Sequence, residues 1–293
     1  MEIKKIFRKK LKKSPYLLQV FFMHTLLIME DLVQHIRCWY LNRLGMFEYV
    51  IENKSVDQLE CHVLASGWSL NESFHLIDRS TSFVIGFNFS FLKCPNPDIH
   101  FIENASYANR IFFLNTMHHY FGLESGRIFE KTRLVFKNLS EFKNSAKLIF
   151  WLYGSRAEFV RDRHYRIYSD KGLRPTLESM LKQKILLPQT VSSVMSFIFL
   201  SRIMGFRKII VHGLDFVGPH FYGPDLNQAI YFGQQESRSS KDWILHKTAA
   251  DESGIGTPEV LRELKYLLGQ EGIELFSAVQ KSPSSKIIGS YFD

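Results

Sequence analysis

The chain has 293 residues, of which 45% are hydrophobic, so it is long enough to bury one sizeable core of catalytic-domain size. Its three cysteines are an odd number without C-x-x-C spacing, which argues against a disulfide framework and a zinc knuckle and favours a reducing compartment. The formal net charge of +8 predicts an anionic partner such as nucleic acid, a phosphorylated ligand or an acidic membrane surface.

Much of the positive charge lies at the N-terminus. The stretch MEIKKIFRKKLKK precedes the apolar run SPYLLQVFFMHTLLIM, which is interrupted by polar residues and shorter than the roughly 20 residues that span a bilayer. We expect residues 1–55 to form a basic, amphipathic helical segment that lies on an anionic membrane surface. The alternative is an amphipathic helix packed on the core with a solvated basic tail. No DNA- or RNA-binding motif accompanies the charge, so nucleic acid is not an expected partner.

Beyond this segment, short β-rich runs alternate with segments of helical period. The predicted strands are residues 61–66, 82–89, 98–104, 147–153, 208–215 and 273–278, and the clearest predicted helices are 192–206 and 258–272. For the second helix, Thr257 is the predicted N-cap and Gly272 the predicted end. The pattern predicts an α/β fold for residues 56–293, a Rossmann-like and mostly parallel sheet with helices on both faces.

Polar and small residues follow the predicted strands, at the edge where ligands bind in such sheets. Gly67 and Ser69 follow the first strand in a turn that opens a helix, where backbone N–H groups can approach an anion. A tight turn with a serine cap explains the same residues. Asn88 and Asn104 end the next two strands and suit a nucleotide base and ribose, although asparagine is also a common turn former.

The start of the predicted helix 192–206 adds two hydroxyl groups to this edge. Ser192 and Ser193 lie where the helix dipole favours an anion, and helix capping alone explains one of them. No D-x-D carboxylate pair follows a strand, so a metal-held nucleotide diphosphate is not expected. A basic cluster fits either a grip on an anionic acceptor or a solvated basic face; its members are Arg156, Arg161, Arg163, His164 and Arg166.

The order of these motifs resembles the bacterial sialyltransferases of glycosyltransferase family 42, which extend surface lipooligosaccharides from CMP-activated sialic acid. The family's G-N-G-P-S-L turn corresponds to ASGWSL, its C-N-Q-F strand end to GFNFSF, and its Y-N-P-S to ENAS. Its I-T-S-G-V and A-L-G-Y correspond to TVSSV and RIMGF, and its I-Y-L-S-G-I-D-F-Y to IIVHGLDFV. The resemblance covers roughly residues 60 to 285, and the N-terminal 55 residues lie outside it.

The resemblance implies a CMP site and a flexible lid over about residues 216–245. In the lid, Tyr222 matches one of two tyrosines that hydrogen-bond the departing phosphate, whereas Val217 replaces the other. One phosphate donor must therefore be replaced, or the donor differs. The residues implied to line or close the CMP site are Gly67, Ser69, Asn88, Asn104, Ser192, Ser193, Gly213 and Asp215.

The resemblance also assigns the chemistry to His246, which follows the lid and precedes the last helix, as the family's general base does. An imidazole with a pKa near ~6.5 can take the proton of an attacking hydroxyl at neutral pH. The implied reaction is inverting transfer of sialic acid, a related nonulosonic acid or Kdo from CMP to a lipooligosaccharide or capsule hydroxyl. Neither a metal nor a cofactor is expected.

The implied partners are a CMP-sugar donor, a glycan acceptor and the cytoplasmic face of the inner membrane, where the protein is expected to be peripheral; a homo-oligomer is a further expectation. Two other classes of function remain open. One is a pyrophosphokinase-like enzyme with the same G-x-S-L turn, which transfers diphosphate from ATP to a pterin and needs an acidic magnesium site. The other is a noncatalytic membrane-associated scaffold, in which His246 and Tyr222 are replaceable.

Overall fold

The computed structural model of the chain describes residues 60–94, 96–103, 132–137, 157–160, 162–183, 186–223, 249 and 255–292. The predicted N-terminal segment, the predicted strand 147–153, Asn104, His246 and the lid beyond Gly223 lie outside these residues.

The described residues form ten strands and five α-helices. The strands are β1 Glu60–Leu64, β2 Ser82–Phe87, β3 Ile99–Glu103, β4 Arg133–Lys137, β5 Ala157–Val160, β6 Asp162–His164, β7 Leu187–Gln189, β8 Lys208–His212, β9 Glu274–Val279 and β10 Ser290–Phe292. The helices are α1 Leu70–Ser73, α2 Asp170–Leu181, α3 Ser193–Ile203, α4 Thr257–Gln270 and α5 Ser285–Ile288. Two 3-10 helices, Phe74–Leu76 and Asn88–Leu92, follow α1 and β2.

Eight of the strands form one sheet in the order β10-β9-β8-β1-β2-β3-β4-β5, and all its pairs are parallel. From β1 the chain adds strands in one direction up to β5, and then returns to place β8 on the other side of β1. The strand order therefore reverses between β1 and β8, which is the position where ligands bind in open parallel sheets. The predicted α/β fold is confirmed. Strands β6 and β7 form a separate two-stranded sheet.

The two faces of the sheet carry different layers because side chains alternate along each strand. On one face Cys61, Val63 and Ile85 pack in the main core with residues of α2, α3 and α4. On the other face Leu64 and Val84 pack in a smaller cluster with residues from α1 and the following loops. No helix among the described residues is long and apolar enough to cross a bilayer.

Helix α3 runs antiparallel to the strands, which brings its N-terminus to their carboxyl edge. Near its end, the Ser201 hydroxyl lies 3.1 Å from the thiol of Cys61, the second residue of β1. One turn earlier, the Phe197 ring lies 4.8 Å from the ring of Phe87, the last residue of β2. Ser193 begins the helix a further turn beyond, so it lies past the strand ends.

Several predicted ends of strands and helices shift by one to three residues, and two of these shifts have a clear physical reason. The strand predicted to reach residue 89 ends at Phe87, because Asn88 has a φ of 49° and starts a 3-10 helix. The N-cap of α4 is Gly256 and not Thr257; its backbone N–H donates to Glu259 Oε2 at 2.9 Å, which satisfies the helix start without the threonine. Gly272, with a φ of 71°, follows the helix end as expected.

Candidate functional site

The turn after β1 is joined to the end of β8 through one buried carboxylate. Asp215 Oδ2 accepts a hydrogen bond from the Ser69 backbone N–H at 2.7 Å, and Asp215 Oδ1 accepts one from the Ser69 hydroxyl at 2.6 Å. Asp215 is 1% exposed and Ser69 is fully buried. The sequence placed both residues in the site, and the structure brings them into direct contact with each other.

The close approach of the two strand ends requires glycine on both sides. A Cβ on Gly67 would lie 2.4 Å from Asp215 Oδ2 and 2.5 Å from the Gly213 carbonyl oxygen. Gly213 has a φ of 67°, in the region that favours glycine, and its carbonyl accepts the Gly67 N–H at 2.8 Å. The two glycines predicted from the sequence therefore let the turn and the end of β8 meet.

A third donor to Asp215 comes from the C-terminal part of the chain, where no sequence motif indicated a functional residue. The Ser282 hydroxyl lies 2.8 Å from Asp215 Oδ1 and 2.9 Å from the Ser284 hydroxyl. Both serines are buried, at 2% and 0% exposure. Segments from three distant parts of the chain thus converge on one carboxylate.

The first residues of the predicted lid, 216–223, are fastened to the same turn. The Phe221 backbone N–H donates to the Ser66 carbonyl at 2.9 Å, and the Asn71 side-chain amide donates to the Phe221 carbonyl at 2.8 Å. Gly67 and His220 form an antiparallel bridge. This part of the loop is therefore held beside the β1 turn, and it carries Tyr222 with it.

Tyr222 packs among rings while its phenol is held neutral. Its ring stacks on His220 with centroids 4.9 Å apart and meets the ring of Phe89 edge-on at 6.1 Å. Burial raises the pKa of the Tyr222 hydroxyl well above its usual range, so this group is a hydrogen-bond donor at every physiological pH. Val217 lies on the same loop, and its backbone N–H donates to the Asp215 carbonyl at 2.5 Å.

Asn88 is fixed at the end of β2 by a buried histidine that the sequence did not single out. The His100 Nε2 atom lies 2.8 Å from the Asn88 carbonyl oxygen, which can only accept, so Nε2 carries the proton. Full burial lowers the pKa of His100 to about 4, so the ring is neutral. This contact helps to hold Asn88 in its left-handed conformation at the carboxyl edge of the sheet.

The N-terminus of α3 presents hydroxyl groups that lack partners in the described part of the chain. Ser192 is the N-cap, yet its side chain makes no capping bond, and its oxygen has no hydrogen-bond partner among the described residues although it is only 9% exposed. The hydroxyl of Thr190, which is 0% exposed, also has no hydrogen-bond partner among the described residues. Buried polar groups are nearly always paired, so these two hydroxyls and the helix dipole are suited to an anionic ligand.

Part of the basic cluster is buried, which excludes the solvated basic face as the explanation for Arg163. Its guanidinium carbon lies 4.2 Å from the centre of the Tyr165 ring and the residue is 4% exposed, so Arg163 is not part of a solvated face. His164 and Arg166 are exposed. Next to this segment, Lys137 Nζ lies 3.5 Å from Asp162 Oδ2 in a buried ion pair.

The structure thus gathers most of the predicted site residues at one edge of the sheet. Hydrogen bonds join Ser69 to Asp215 and Gly67 to Gly213, while Asn88 and the start of α3 lie at the neighbouring strand ends. Among the described residues, no group of three His, Cys, Asp or Glu side chains could hold a metal ion. Sequence reasoning missed the contributions of three further residues, namely His100, Thr190 and Ser282; only the polar side chain of Thr190 directly before Ser192 offered a signal.

No protein-family model matches the chain, and no curated protein matches it. The fold and this edge define an α/β protein with a candidate nucleotide site at the strand reversal. Among solved structures, the chain is similar to the sialyltransferase CstII from Campylobacter jejuni in complex with cytidine-5'-monophosphate, at 14% identity, 81% coverage of this chain, 86% of that chain and a TM-score of 0.43. It is also similar to the monofunctional alpha-2,3-sialyltransferase Cst-I from Campylobacter jejuni, at 11% identity, 83% and 84% coverage and a TM-score of 0.44.

A further structure of CstII, in complex with a trisaccharide acceptor and CMP, matches at 13% identity, 79% and 85% coverage and a TM-score of 0.41. These structural neighbours are sialyltransferases, the class of protein that the order of motifs in the sequence resembles. The identities and TM-scores are too low to give any residue of this chain a role.

Proposed function

We propose that the chain is a glycosyltransferase that moves sialic acid or a related acidic sugar from its CMP donor to a glycan hydroxyl. The observation that carries the proposal is the pair of buried, unpartnered hydroxyls of Thr190 and Ser192 at the start of α3. They lie at the same carboxyl edge as Asn88 and the turn of Gly67. The donor of such a reaction carries two anionic groups, a phosphate and a sugar carboxylate, and one of them fits this helix terminus.

The remaining roles are distributed along the same edge. Asn88, with Asn104, is proposed to bind the nucleoside, and Ser193 to add a second hydroxyl beside Ser192. Tyr222 supports departure of CMP, because a neutral phenol can donate a hydrogen bond to the leaving phosphate. His246 is the proposed general base that takes the proton of the acceptor hydroxyl, so that attack inverts the anomeric carbon.

Ser69 is not proposed to donate a hydrogen bond to the nucleotide. Because its N–H and its hydroxyl both donate to Asp215, only acceptor lone pairs of the Ser69 oxygen are left for a bound nucleotide. Asp215 and Gly213 are proposed to close the site by fixing the β1 turn against the end of β8. The roles of Gly67 and Gly213 follow from the space that they leave for this contact.

The acceptor and the location of the protein complete the proposal. The acceptor is a surface glycan of the lipooligosaccharide or capsule type, and the basic residues 1–55 bind the anionic cytoplasmic face of the inner membrane. The chemistry is proposed to need neither metal nor cofactor, because CMP leaves as a monophosphate stabilised by hydroxyl donors. Because Val217 replaces one of the two lid tyrosines, another residue must donate the second hydrogen bond to the leaving phosphate.

The first test is ligand-dependent melting of the full chain. CMP should raise the melting temperature and ATP should not, since a ligand that binds only the folded state stabilises it by mass action. An equal shift with ATP would contradict the CMP assignment. A transfer assay with CMP-sialic acid and a soluble glycan acceptor then tests the reaction itself.

A matched pair of serine variants tests the α3 terminus. Ser192→Ala should weaken CMP-sugar binding by about tenfold or more, because a hydrogen bond to a charged group contributes roughly 1.5–3 kcal/mol. Ser169→Ala is the control, since Ser169 is also a helix N-cap without a side-chain capping bond, at the start of α2. Equal donor affinity in both variants would remove Ser192 from the site.

A further inference from the structure

The anion-binding position of the β1 turn is filled by the chain itself. In nucleotide-binding sheets, the turn between the first strand and its helix commonly holds a phosphate on backbone N–H groups. Here the Ser69 N–H donates to Asp215 Oδ2 at 2.7 Å, so a carboxylate takes the place of that phosphate. The same residue's hydroxyl donates to the other oxygen at 2.6 Å.

The carboxylate fits too tightly for a ligand to displace it without rearrangement of the turn. The position that a Cβ of Gly67 would take is 2.4 Å from Asp215 Oδ2, and Asp215 is 1% exposed. The contacts of Asp215 with Ser69 and Ser282 are all donated to the carboxylate oxygens, an arrangement that suits a negative charge. The turn therefore offers a bound nucleotide a fixed negative charge in place of a donor.

We propose that Asp215 is a specificity-determining residue that restricts the site to nucleotides with a single phosphate. This inference rests on the proposed function and narrows its donor class. Tyr222, the proposed hydrogen-bond donor to the phosphate, lies on the loop that is bridged to Gly67, and Gly67 packs against the Asp215 carboxylate. The proposal therefore places the phosphate of the bound nucleotide beside that carboxylate. A second phosphate would approach this like charge and would find the Ser69 N–H already engaged.

The affinities of three related ligands for the unaltered full chain test this inference. Cytidine, CMP and CDP are titrated by calorimetry in EDTA, so that no divalent ion neutralises the extra phosphate. CMP should bind at least tenfold more tightly than cytidine, and CDP should bind at least fivefold more weakly than CMP. CDP that binds as tightly as CMP, or more tightly, overturns the specificity role of Asp215 and leaves the CMP assignment standing. Failure of CMP itself to bind overturns the proposed function.

Two variants separate the charge from the packing. Asp215→Asn keeps the shape, and its amide can exchange hydrogen bonds with Ser69, so the CDP-to-CMP affinity ratio should rise at least fivefold. Ser282→Ala removes one hydrogen bond to the same carboxylate but keeps its charge, and the ratio should stay within twofold of that of the unaltered chain. An unchanged ratio in a folded Asp215→Asn protein contradicts the inference. If that variant does not fold, the ligand series remains decisive.

Discussion

The imidazole rings of His62 and His212 are hydrogen-bonded to each other inside the protein, with His62 Nδ1 and His212 Nε2 only 2.8 Å apart. The Ser73 hydroxyl donates to the Ser69 carbonyl, so it accepts from His212 Nδ1 at 2.9 Å. His212 Nε2 must then accept from His62 Nδ1. This leaves His62 Nε2 as the one ring nitrogen of the pair that can take up a further proton, 3.9 Å from a carboxylate oxygen of Glu60.

Acid should therefore unfold this protein through its buried histidines. Desolvation lowers the pKa of His62 and of His100 from 6.5 to about 4, and burial together with His62 lowers the pKa of His212 well below 6.5. Below pH 6.5 the histidines of the unfolded chain bind protons, whereas the buried histidines of the folded chain stay neutral. The free energy of unfolding is then highest above pH 6.5 and falls with acid, by up to about 1.4 kcal/mol per pH unit for each histidine.

Urea unfolding between pH 7.5 and 5 measures this slope. His100→Asn should flatten it, because one buried proton acceptor is removed, whereas His75→Asn should leave it unchanged because His75 is exposed on a 3-10 helix. A free energy of unfolding that stays constant down to pH 5 would contradict the prediction.

A pair of glycine substitutions tests the contact between the β1 turn and β8. Gly67→Ala should destabilise the fold by at least about 3 kcal/mol, since its Cβ would overlap both a carboxylate and a backbone carbonyl. Gly269→Ala, in helix α4 with no heavy atom within 4 Å of the new Cβ, should stabilise it by about 0.5–1 kcal/mol. Denaturant unfolding of both variants gives the comparison, and equal stability of the two would argue against a closely packed turn.

The proposed base and leaving-group donor should differ in kinetic effect. His246→Ala should lower kcat by about 100-fold or more with CMP affinity unchanged, because a general base acts only on the acceptor proton. Tyr222→Phe should lower kcat about tenfold, the value of one hydrogen bond of roughly 1 to 1.5 kcal/mol. Val217→Tyr should leave activity unchanged or raise it. If His246→Ala keeps near-normal turnover and the acidic limb of its pH profile is unshifted, this histidine is not the general base.

Transfer should persist in EDTA, since the proposed leaving group is stabilised by hydroxyl donors and not by a metal ion. The rate is measured with CMP-sialic acid before and after dialysis against the chelator. Loss of activity that only magnesium restores would show that departure of CMP depends on a metal ion.

Deletion of residues 1–30 should release the protein from anionic vesicles while turnover on a soluble acceptor stays within about twofold. Each basic residue near such a surface contributes about 1 kcal/mol to binding, and the deletion removes most of the N-terminal cluster. Co-sedimentation with phosphatidylserine vesicles at two salt concentrations is the measurement. Unchanged sedimentation of the shortened chain would show that the anchor lies elsewhere.

Local patterns in the sequence determined the layered fold and the position of the candidate site. Apolar runs followed by turns predicted parallel strands, and the residues after those runs, such as Gly67 and Asn88, do lie at the carboxyl edge. These features depend on hydrophobic period and turn chemistry, which a few neighbouring residues decide. The exact ends of the strands could not be predicted in this way. Strand β2 ends early because Asn88 adopts a left-handed φ that the pattern of apolar residues does not encode.

Only the tertiary structure decided which of these residues act on one another. Ser69 and Asp215 are separated by 146 positions and Asp215 and Ser282 by 67, and they meet because the chain returns to place β8 beside β1. The burial of Arg163 against Tyr165 likewise depends on packing that composition cannot show. Strand order and crossovers set such contacts through the whole core, so the hydrogen-bond partners of a polar side chain are not readable from its neighbours in sequence.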